Sequence, residues 1–403
     1  MFRASSLNKS NTQLNKTVIL KKNEDHRIAN GHLWAFSNEI AEVKGEPQPG
    51  DIVELLTHQN KLLGIGAYNP HSLIAVRLLS REKEDIDFQF FLKRIQAAHE
   101  IRKKIYRDNP TFRLVHGEGD FLPGLIVDKF NDYFSIQTFS VGMDKRLTLI
   151  CDVLDSLFHP KGIVERNEAL IRTVEGLEQR KGILRGTVEP VTISEYGIHY
   201  AIDLLEGQKT GFFLDQRENR RAFRRYVKGA NVLDCFCNEG GFALHAAYAE
   251  AASVIGVDVS ESIIQRASNN AKLNKLESKT QFITSDAFEY LEQAVNQNKQ
   301  FDVINLDPPS FAKSKKTVRK AKRGYKEIHT NALKLLKKGG ILSTASCSYN
   351  ITEETFLDII NECANDLGRK ISILEWHGAA PDHPVLPSMP ETKYLKFGIF
   401  SVE

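Results

Sequence analysis

The sequence of 403 residues has no apolar run close to the roughly 20 residues needed to cross a membrane. Its five cysteines are scattered and odd in number, which argues against a disulfide framework and favours a reducing, cytoplasmic location. No second Cys/His pair accompanies Cys235 and Cys237 at metal-ligand spacing, so we expect no metal site. Because the net charge is only +3, any polyanionic partner must be held by local clusters of basic residues.

The first seventeen residues are polar and contain no acidic side chain. They lack the apolar core of a secretory signal, so we predict a disordered arm over residues 1–17. The chain as a whole is 41% hydrophobic and 26% charged, which is typical of a soluble globular protein. Its length predicts two or three domains.

Three segments of different pattern make up the remaining chain. Residues 18–85 contain short alternating runs separated by turn signals such as Asn30-Gly31, which predicts a small β-barrel. Residues 86–203 begin with apolar residues at helical spacing and continue mainly as strand-like runs, which predicts a small α+β domain. Residues 204–403 contain seven strand-like runs with helical patterns between the early ones, which predicts a doubly wound, Rossmann-like α/β sheet.

A glycine turn follows the first strand of this predicted sheet. Gly240 and Gly241 separate the run NVLDCF from a helical pattern, and glycines there let the backbone approach a ligand closely. The next two strands end on Asp258 and Asp286, and an acid after the second strand suits ribose hydroxyls. The turn lacks the G-x-G-x-x-G pattern that a pyrophosphate requires, so it favours S-adenosylmethionine, which carries no phosphate. Glycines that merely pack a strand against a helix are the alternative interpretation.

The fourth strand must stop at Asp307, because the two prolines that follow cannot donate to a sheet ladder. This places Asp307 at the carboxyl edge of the sheet, where ligands bind in open α/β folds. The next strand ends in Ser346-Cys347-Ser348 and should reach the same edge. A thiolate that adds to carbon-6 of a pyrimidine makes carbon-5 nucleophilic, so Cys347 is a candidate nucleophile and Asp307 a candidate base-binding or proton-transfer group. A small buried residue at a strand end is the alternative for Cys347.

A basic run without acidic residues follows the two prolines. It contains Lys313, Lys315, Lys316, Arg319, Lys320, Lys322, Arg323 and Lys326. The run could clamp phosphates around a target base, and its position beside the candidate site favours RNA binding over a solvated helix face. A second group of five arginines, between Arg217 and Arg225, fits either interpretation equally well.

Several segments together resemble the family of 23S ribosomal RNA cytosine-5 methyltransferases, which consist of a PUA domain, a small α+β domain and a class I methyltransferase domain. The segments are GEGDFLPGLIVDKF, KTGFFLDQRENR, LDCFCNEGGF, LDPPSF, SCS and DHPVLP. The resemblance covers nearly all of the chain from Val18 and implies that Cys347 is the nucleophile. It also implies S-adenosylmethionine as methyl donor, ribosomal RNA as partner (naked or in an assembling subunit), and RNA contacts at Gly31, His32 and Trp34. The residues expected to hold the cofactor are Gln216, Asp234, Gly240, Gly241, Asp258, Asp286 and Asp307.

The run LDPPSFAKSKK is also similar to the guanine-N7 methyltransferases of ribosomal RNA, which need no thiol because a ring nitrogen attacks directly. The choice of cytosine therefore depends on Cys347. Two other classes of function remain as alternatives. One is an NAD-dependent oxidoreductase, which would require the third glycine that the turn lacks. The other is a non-catalytic RNA-binding or ribosome-assembly factor. Strand edges in the first two domains could pair in a homodimer, although nothing in the sequence requires one.

Overall fold

A computed structural model describes residues 16–207, 209–312 and 315–403, except for the side chain of Lys315. The chain divides into two compact units: one runs to Val188 and includes Pro384–Pro390, and the other holds Glu189–His383 and Glu391–Glu403. Most of the predicted arm over residues 1–17, and the predicted RNA contact Lys313, lie outside the described residues. The domain boundaries derived from the sequence stay predictions.

The first unit opens with a six-stranded sheet and a one-turn helix. The strands are β1 (Thr17–Leu20), β2 (Trp34–Phe36), β3 (Ile40–Lys44), β4 (Ile52–Leu56), β5 (Leu62–Tyr68) and β6 (Ile74–Ser80), and the helix is α1 (His26–Ala29). Their order in the sheet is β2-β6-β5-β4-β1-β3, in which β1 is parallel to β4 and the other pairs are antiparallel. Val18, Ile19 and Leu20 of β1 are all buried, so side chains on both faces of this strand are covered.

A five-stranded sheet with helices completes the first unit. Its elements are α2 (Phe88–Tyr106), β7 (Thr111–His116), β8 (Leu125–Phe130), β9 (Tyr133–Thr138), α3 (Val141–Asp144), α4 (Leu147–Phe158), β10 (Gly162–Asn167), α5 (Ile171–Val174) and β11 (Arg180–Gly186). The strand order is β11-β10-β9-β8-β7. Asp87 caps α2 by accepting a hydrogen bond from the Phe90 amide at 3.1 Å. Phe91 and Ile95 on α2 pack with Leu154 on α4 in the core of this sheet.

The segment Pro384–Pro390, called here the return segment, is distant in sequence from the rest of the first unit. Its Met389 is fully buried in the core of the six-stranded sheet. Two glycines make room for it: a Cβ atom at Gly119 would lie 2.2 Å from the carbonyl oxygen of Pro384, and one at Gly31 would lie 3.0 Å from the Ser388 Oγ. The two glycines are therefore packing requirements of the return segment.

The second unit begins with a hairpin and a short helix and continues as alternating strands and helices. The elements are β12 (Val191–Glu195), β13 (Ile198–Ile202), α6 (Arg217–Phe223), β14 (Asn231–Cys235), α7 (Gly241–Tyr248), β15 (Ser253–Asp258), α8 (Glu261–Leu273), β16 (Thr280–Thr284), α9 (Ala287–Asn296), β17 (Phe301–Leu306), α10 (Val318–Leu335), β18 (Leu336–Ser346), α11 (Glu353–Asp366), β19 (Ile371–His377) and β20 (Lys396–Val402).

The seven strands from β14 to β20 form one sheet in the order β16-β15-β14-β17-β18-β20-β19. The first five are parallel, and β20 is antiparallel to both of its neighbours. This confirms the predicted Rossmann-like α/β fold with seven strands. The chain reverses its direction of winding between β14 and β17, and ligands bind beyond the carboxyl ends of strands at such a point. No helix among the described residues is both long and apolar enough to span a membrane.

Candidate active site

A cavity of about 650 Å³ lies within the second unit at the carboxyl ends of β14, β15, β17 and β18. This volume is typical of a small-molecule site. The residues predicted for the site that line it are Gln216, Gly241, Asp258, Asp286, Asp307 and Cys347. The structure thus brings together groups from six positions spread over more than a hundred residues of the chain. Asp234 and Gly240 lie beside this group without lining the cavity.

The turn after β14 is built around Gly240. This residue has φ 87° and ψ 23°, in the left-handed region, and α7 begins immediately after it. A Cβ atom there would lie 3.2 Å from the Phe282 ring and 3.3 Å from Leu244 Cγ. The backbone conformation therefore favours glycine, and a Cβ atom would also require Phe282 or Leu244 to shift by a few tenths of an ångström.

We expect Gly240→Ala to lower the free energy of unfolding by about 1–2 kcal/mol, because a Cβ atom is unfavourable in the left-handed region and would also crowd Phe282. Urea denaturation with and without S-adenosylhomocysteine measures the loss. Gly229→Ala is the matched control, since Gly229 has φ 71° but no atom within 4 Å of its Cβ position. Equal losses in the two variants, with equal stabilisation by the ligand, would show that the packing of this turn is unimportant.

Two of the acids predicted at the cofactor, Asp258 and Asp286, hold the local backbone. Asp258 accepts from the amides of Asn238 at 3.1 Å and Ser260 at 3.2 Å. Asp286 caps α9, accepting from the Phe288 amide at 2.7 Å. Backbone amides therefore hold both carboxylates in place.

Asp234 is fully buried beneath the glycine turn. Its carboxyl group accepts from Asn305 Nδ2 and from the Ala243 amide, each at 2.8 Å. Burial raises the pKa of Asp234 to about 7, so its carboxyl group is poised between two charge states near neutral pH. The hydrogen bond from the Ala243 amide fixes the first turn of α7 to the end of β14.

Asp307 follows β17 and is held by Gln216. The Gln216 Nε2 donates to Asp307 Oδ1 at 3.0 Å, and the Gln216 Oε1 accepts from Asn219 at 2.6 Å, which fixes the orientation of the amide. Burial, and then the nearby Asp215 carboxylate, raises the pKa of Asp307 to about 7. The positive charges of Lys209 and Arg220 oppose this rise.

Cys347 is partly buried at the end of β18 and faces the same cavity. Burial raises the pKa of its thiol to about 11, although the ammonium group of Lys209 acts in the opposite direction. The neighbouring turn is tied to the rest of the site by Ser348, whose Oγ lies 3.1 Å from Ser310 Oγ and 3.2 Å from Tyr325 Oη. The thiol is therefore held in place but needs further help to ionise.

Lys396 is a buried cation that the sequence analysis missed. It lies opposite Ser346 in the ladder between β18 and β20, and its Nζ donates to the Ser348 carbonyl at 2.9 Å. Burial lowers its pKa to about 8, and the negative charge of an ionised Cys347 would favour its protonated form. The sequence signal that could have indicated it is the lysine at the start of the mainly apolar strand KFGIFSV.

The segment before Gln216 forms one wall of the cavity, which its sequence pattern did not indicate. Lys209 lies 3.2 Å from Asp215 Oδ2, which also accepts from the Tyr394 hydroxyl at 2.6 Å. Phe212 and Phe213 complete this wall of the cavity. The segment has neither helical nor strand periodicity, so only its resemblance to a family motif indicated a role.

The second basic group does not form a common surface. Arg217 and Arg220 are buried and lie 3.5 and 2.7 Å from the carboxylate of Glu195 in β12. Both interpretations, a solvated face and an RNA contact, are therefore wrong for these two arginines. They attach the hairpin to α6, which carries Gln216 at its start. Arg221 and Arg225 are exposed.

The described part of the first basic run forms one exposed surface on and before α10, called here the basic face. It comprises Lys316, Arg319, Lys320, Lys322, Arg323 and Lys326. Of these, Lys326 pairs with the carboxylate of Glu362. The opposite side of α10 is buried through Ala321 and Tyr325. The ring of Phe311, which lines the cavity, lies 4.9 Å from that of Tyr325, so the basic face begins next to the cavity.

Of the expected RNA contacts in the first unit, His32 is buried and Trp34 is partly exposed. His32 Nδ1 accepts from the Trp34 amide at 3.0 Å, and the Trp34 indole donates to Glu118 Oε1 at 3.0 Å. Gly31 lies against the return segment. Of these three residues, Gly31 and Trp34 are therefore partly exposed.

Two domain families match the chain: a PUA-like domain over residues 18–81 and a methyltransferase domain over residues 227–378. The protein named ribosomal RNA large subunit methyltransferase I of Tolumonas auensis is 40% identical over 95% of this chain and 98% of its own length. The protein of the same name from Vibrio vulnificus is 38% identical over 95% of this chain and 98% of its own.

Two solved structures have the same fold over nearly the whole chain. A candidate SAM-dependent methyltransferase from Streptococcus mutans superposes with a TM-score of 0.83 at 21% identity, over 96% of this chain and 99% of that one. The candidate methyltransferase SMU.776, crystallised with SAH, gives a TM-score of 0.84 at 21% identity and the same coverage.

Proposed function

The chain belongs to the ribosomal RNA large subunit methyltransferase I family, with S-adenosylmethionine as its cofactor, and we propose that it forms 5-methylcytosine in 23S ribosomal RNA. One observation carries the choice of base: the thiol of Cys347 and the carboxyl group of Asp307 line the same cavity as the glycine turn. A guanine-N7 methyltransferase has no use for a thiol at this position.

The cavity fits the cofactor in size and in the chemistry of its lining. Asp258 and Asp286 would hold the ribose and adenine parts, and the turn at Gly241 lets the backbone come close to them. Gln216 and Asp307 would lie towards the reacting end. When bound, S-adenosylmethionine supplies an electrophilic methyl group, which carbon-5 of the target base accepts.

Cys347 makes carbon-5 reactive. Its ionised Sγ bonds to carbon-6 of cytosine, and the electron pair of the carbon-5 to carbon-6 π bond moves to carbon-5. After carbon-5 has gained the methyl group, a base removes the proton from it, the π bond forms again and the thiolate leaves. The enzyme is regenerated and no oxidant or reductant is consumed.

Two lysines act on Cys347 and on the turn that follows it. Lys209 lowers the pKa of Cys347 against the effect of burial, and Lys396 fixes the Ser348 carbonyl beside it. Asp307, with a pKa raised to about 7 by burial, suits either a hydrogen bond to the base edge or a proton transfer at neutral pH.

The test is the identity of the methylated nucleoside. Purified protein is incubated with methyl-labelled S-adenosylmethionine and unmodified 23S ribosomal RNA, and the RNA is digested and analysed by mass spectrometry. The proposal requires the label in 5-methylcytidine. Label in 7-methylguanosine would reject the proposal. It would show that a ring nitrogen of guanine attacks the methyl group directly.

We expect replacement of Arg319, Lys320 and Arg323 by glutamine to weaken RNA binding and to flatten its dependence on salt. Each phosphate contact contributes about 0.7 to 0.9 to the slope of log affinity against log salt, so three contacts should remove about 2 from it. Within the part of the chain that the structure describes, these three side chains have no carboxylate partner. Titration of a labelled RNA fragment between low and moderate salt measures the slope.

The matched control replaces Lys272, Lys275 and Lys279, which lie at the end of α8 and after it. The end of α8 leads into β16 and so belongs to the amino edge of the sheet, opposite the cavity. The control should keep the wild-type slope. The same slope in both triple variants would contradict the assignment of RNA to the basic face.

A further inference from the structure

Phe121, in the first unit, is an aromatic residue in an unfavourable setting. It has φ 57° and ψ 29°, in the left-handed region that bulky side chains rarely adopt, and it is 45% exposed. The next residue, Leu122, is fully buried. Neither backbone preference nor core packing explains a phenylalanine here, and residues held in sparsely populated conformations cluster at binding sites.

Buried hydrogen bonds and an ion pair hold the turn that carries Phe121. Asp120 accepts from both terminal nitrogens of Arg102 at 2.6 Å, and this ion pair is buried. The same carboxylate accepts from the His116 amide at 2.6 Å. The return segment packs on Gly119 from another side. The ring of Phe121 is therefore presented on a fixed support, so that binding would cost little conformational entropy.

The groups around Phe121 are those that bind unpaired nucleotides. The Arg94 guanidinium lies 5.6 Å from the centroid of the Phe121 ring. Glu118, in the same turn, accepts from the Trp34 indole, which places a second partly exposed aromatic residue at this turn. Single-stranded RNA is recognised by stacking of its bases on aromatic rings and guanidinium planes, with basic side chains at the phosphates.

We propose that an unpaired base of the substrate RNA stacks on Phe121, with Arg94 supporting the ring and offering its charge to the adjacent phosphate. This site lies outside the cavity and the basic face. It rests on the proposed function only in that RNA is the substrate, and it does not depend on which base is methylated. It assigns to the turn at Gly117–Asp120 the role of fixing one nucleotide of the substrate.

Phe121→Asn separates this role from a structural one, because asparagine adopts the left-handed conformation more readily than phenylalanine. We expect the variant to melt at the wild-type temperature or above, yet to bind an unpaired 23S fragment about tenfold more weakly, the effect of losing one stacked base. Phe121→Trp should retain the affinity. Methyl transfer should show a higher KM for RNA with kcat unchanged.

The control is Leu170→Asn, which removes a side chain that is 72% exposed in the same unit. It should leave RNA affinity unchanged. Wild-type affinity in Phe121→Asn would overturn the proposal and leave the ring as a contact for a protein. A lowered melting temperature together with an equal loss of affinity for fully paired RNA would also overturn it, because the residue would then act only through the fold.

Discussion

Cys347→Ala is expected to reduce methyl transfer to 23S ribosomal RNA by at least about 10⁴-fold, while the affinities for RNA and for S-adenosylhomocysteine stay at the wild-type level. The reason is that cytosine carbon-5 is a poor nucleophile until a thiolate has added to carbon-6. Alanine fills the position at the end of β18 without that chemistry. The measurement is a single-turnover transfer of labelled methyl groups, with binding followed separately by titration.

Cys363→Ala is the matched control, since Cys363 is buried in α11 and its Sγ donates to the Lys326 carbonyl at 3.5 Å. It should lose some stability and keep its turnover. RNA containing 5-fluorocytosine should form a lasting covalent complex with the wild type and none with Cys347→Ala, because fluorine at carbon-5 cannot be removed by a base. Normal turnover in Cys347→Ala would assign Cys347 to packing and remove the main argument for cytosine.

The sheet, and the meeting of the predicted residues at one cavity, could be predicted because both depend on short-range rules. Alternation of strands and helices predicts a parallel sheet, and the prolines after Asp307 force a strand to end there. Since the carboxyl ends of parallel strands meet at one edge, Asp258, Asp307 and Cys347 had to approach one another. Each step needs only the residues within one element.

The buried charges could not be predicted, because their partners are distant in sequence. The local sequence predicts Arg217 and Arg220 to be surface residues. Their burial is made favourable in part by the carboxylate of Glu195 in the hairpin, which is distant in sequence. The return segment is a similar case, since its place in the first unit depends on space left by glycines such as Gly119. Such contacts join parts of the chain whose separate patterns carry no sign of each other.

The raised pKa of Asp307 links the stability of the protein to its function. Its folded pKa of about 7 lies above the ordinary value of 3.8, chiefly through burial. The folded state therefore binds the proton more tightly than the unfolded state. The stabilisation is complete below about pH 4 and is lost as the pH rises through 7. At pH 8 and without cofactor, Asp307→Asn should consequently be at least as stable as the wild type.

We expect the affinity for S-adenosylmethionine to show the opposite dependence, since its sulfonium cation favours the ionised carboxylate of Asp307. If only the ionised form binds well, a group with a pKa of about 7 makes the dissociation constant about tenfold higher at pH 6 than at pH 8. Calorimetric titration across this range measures the change.

Two comparisons decide whether Asp307 is the responsible group. S-adenosylhomocysteine lacks the sulfonium charge, so its affinity should vary less with pH than that of S-adenosylmethionine. Asp307→Asn should bind both ligands with a nearly flat pH profile and should lose methyl transfer by about 10²-fold or more, because neither the charge nor the proton remains available. If the affinity of Asp307→Asn for S-adenosylmethionine still depended steeply on pH, another carboxyl group would be responsible for the dependence. Asp234 is then the candidate, since its pKa is also raised to about 7 and it supports the glycine turn from below.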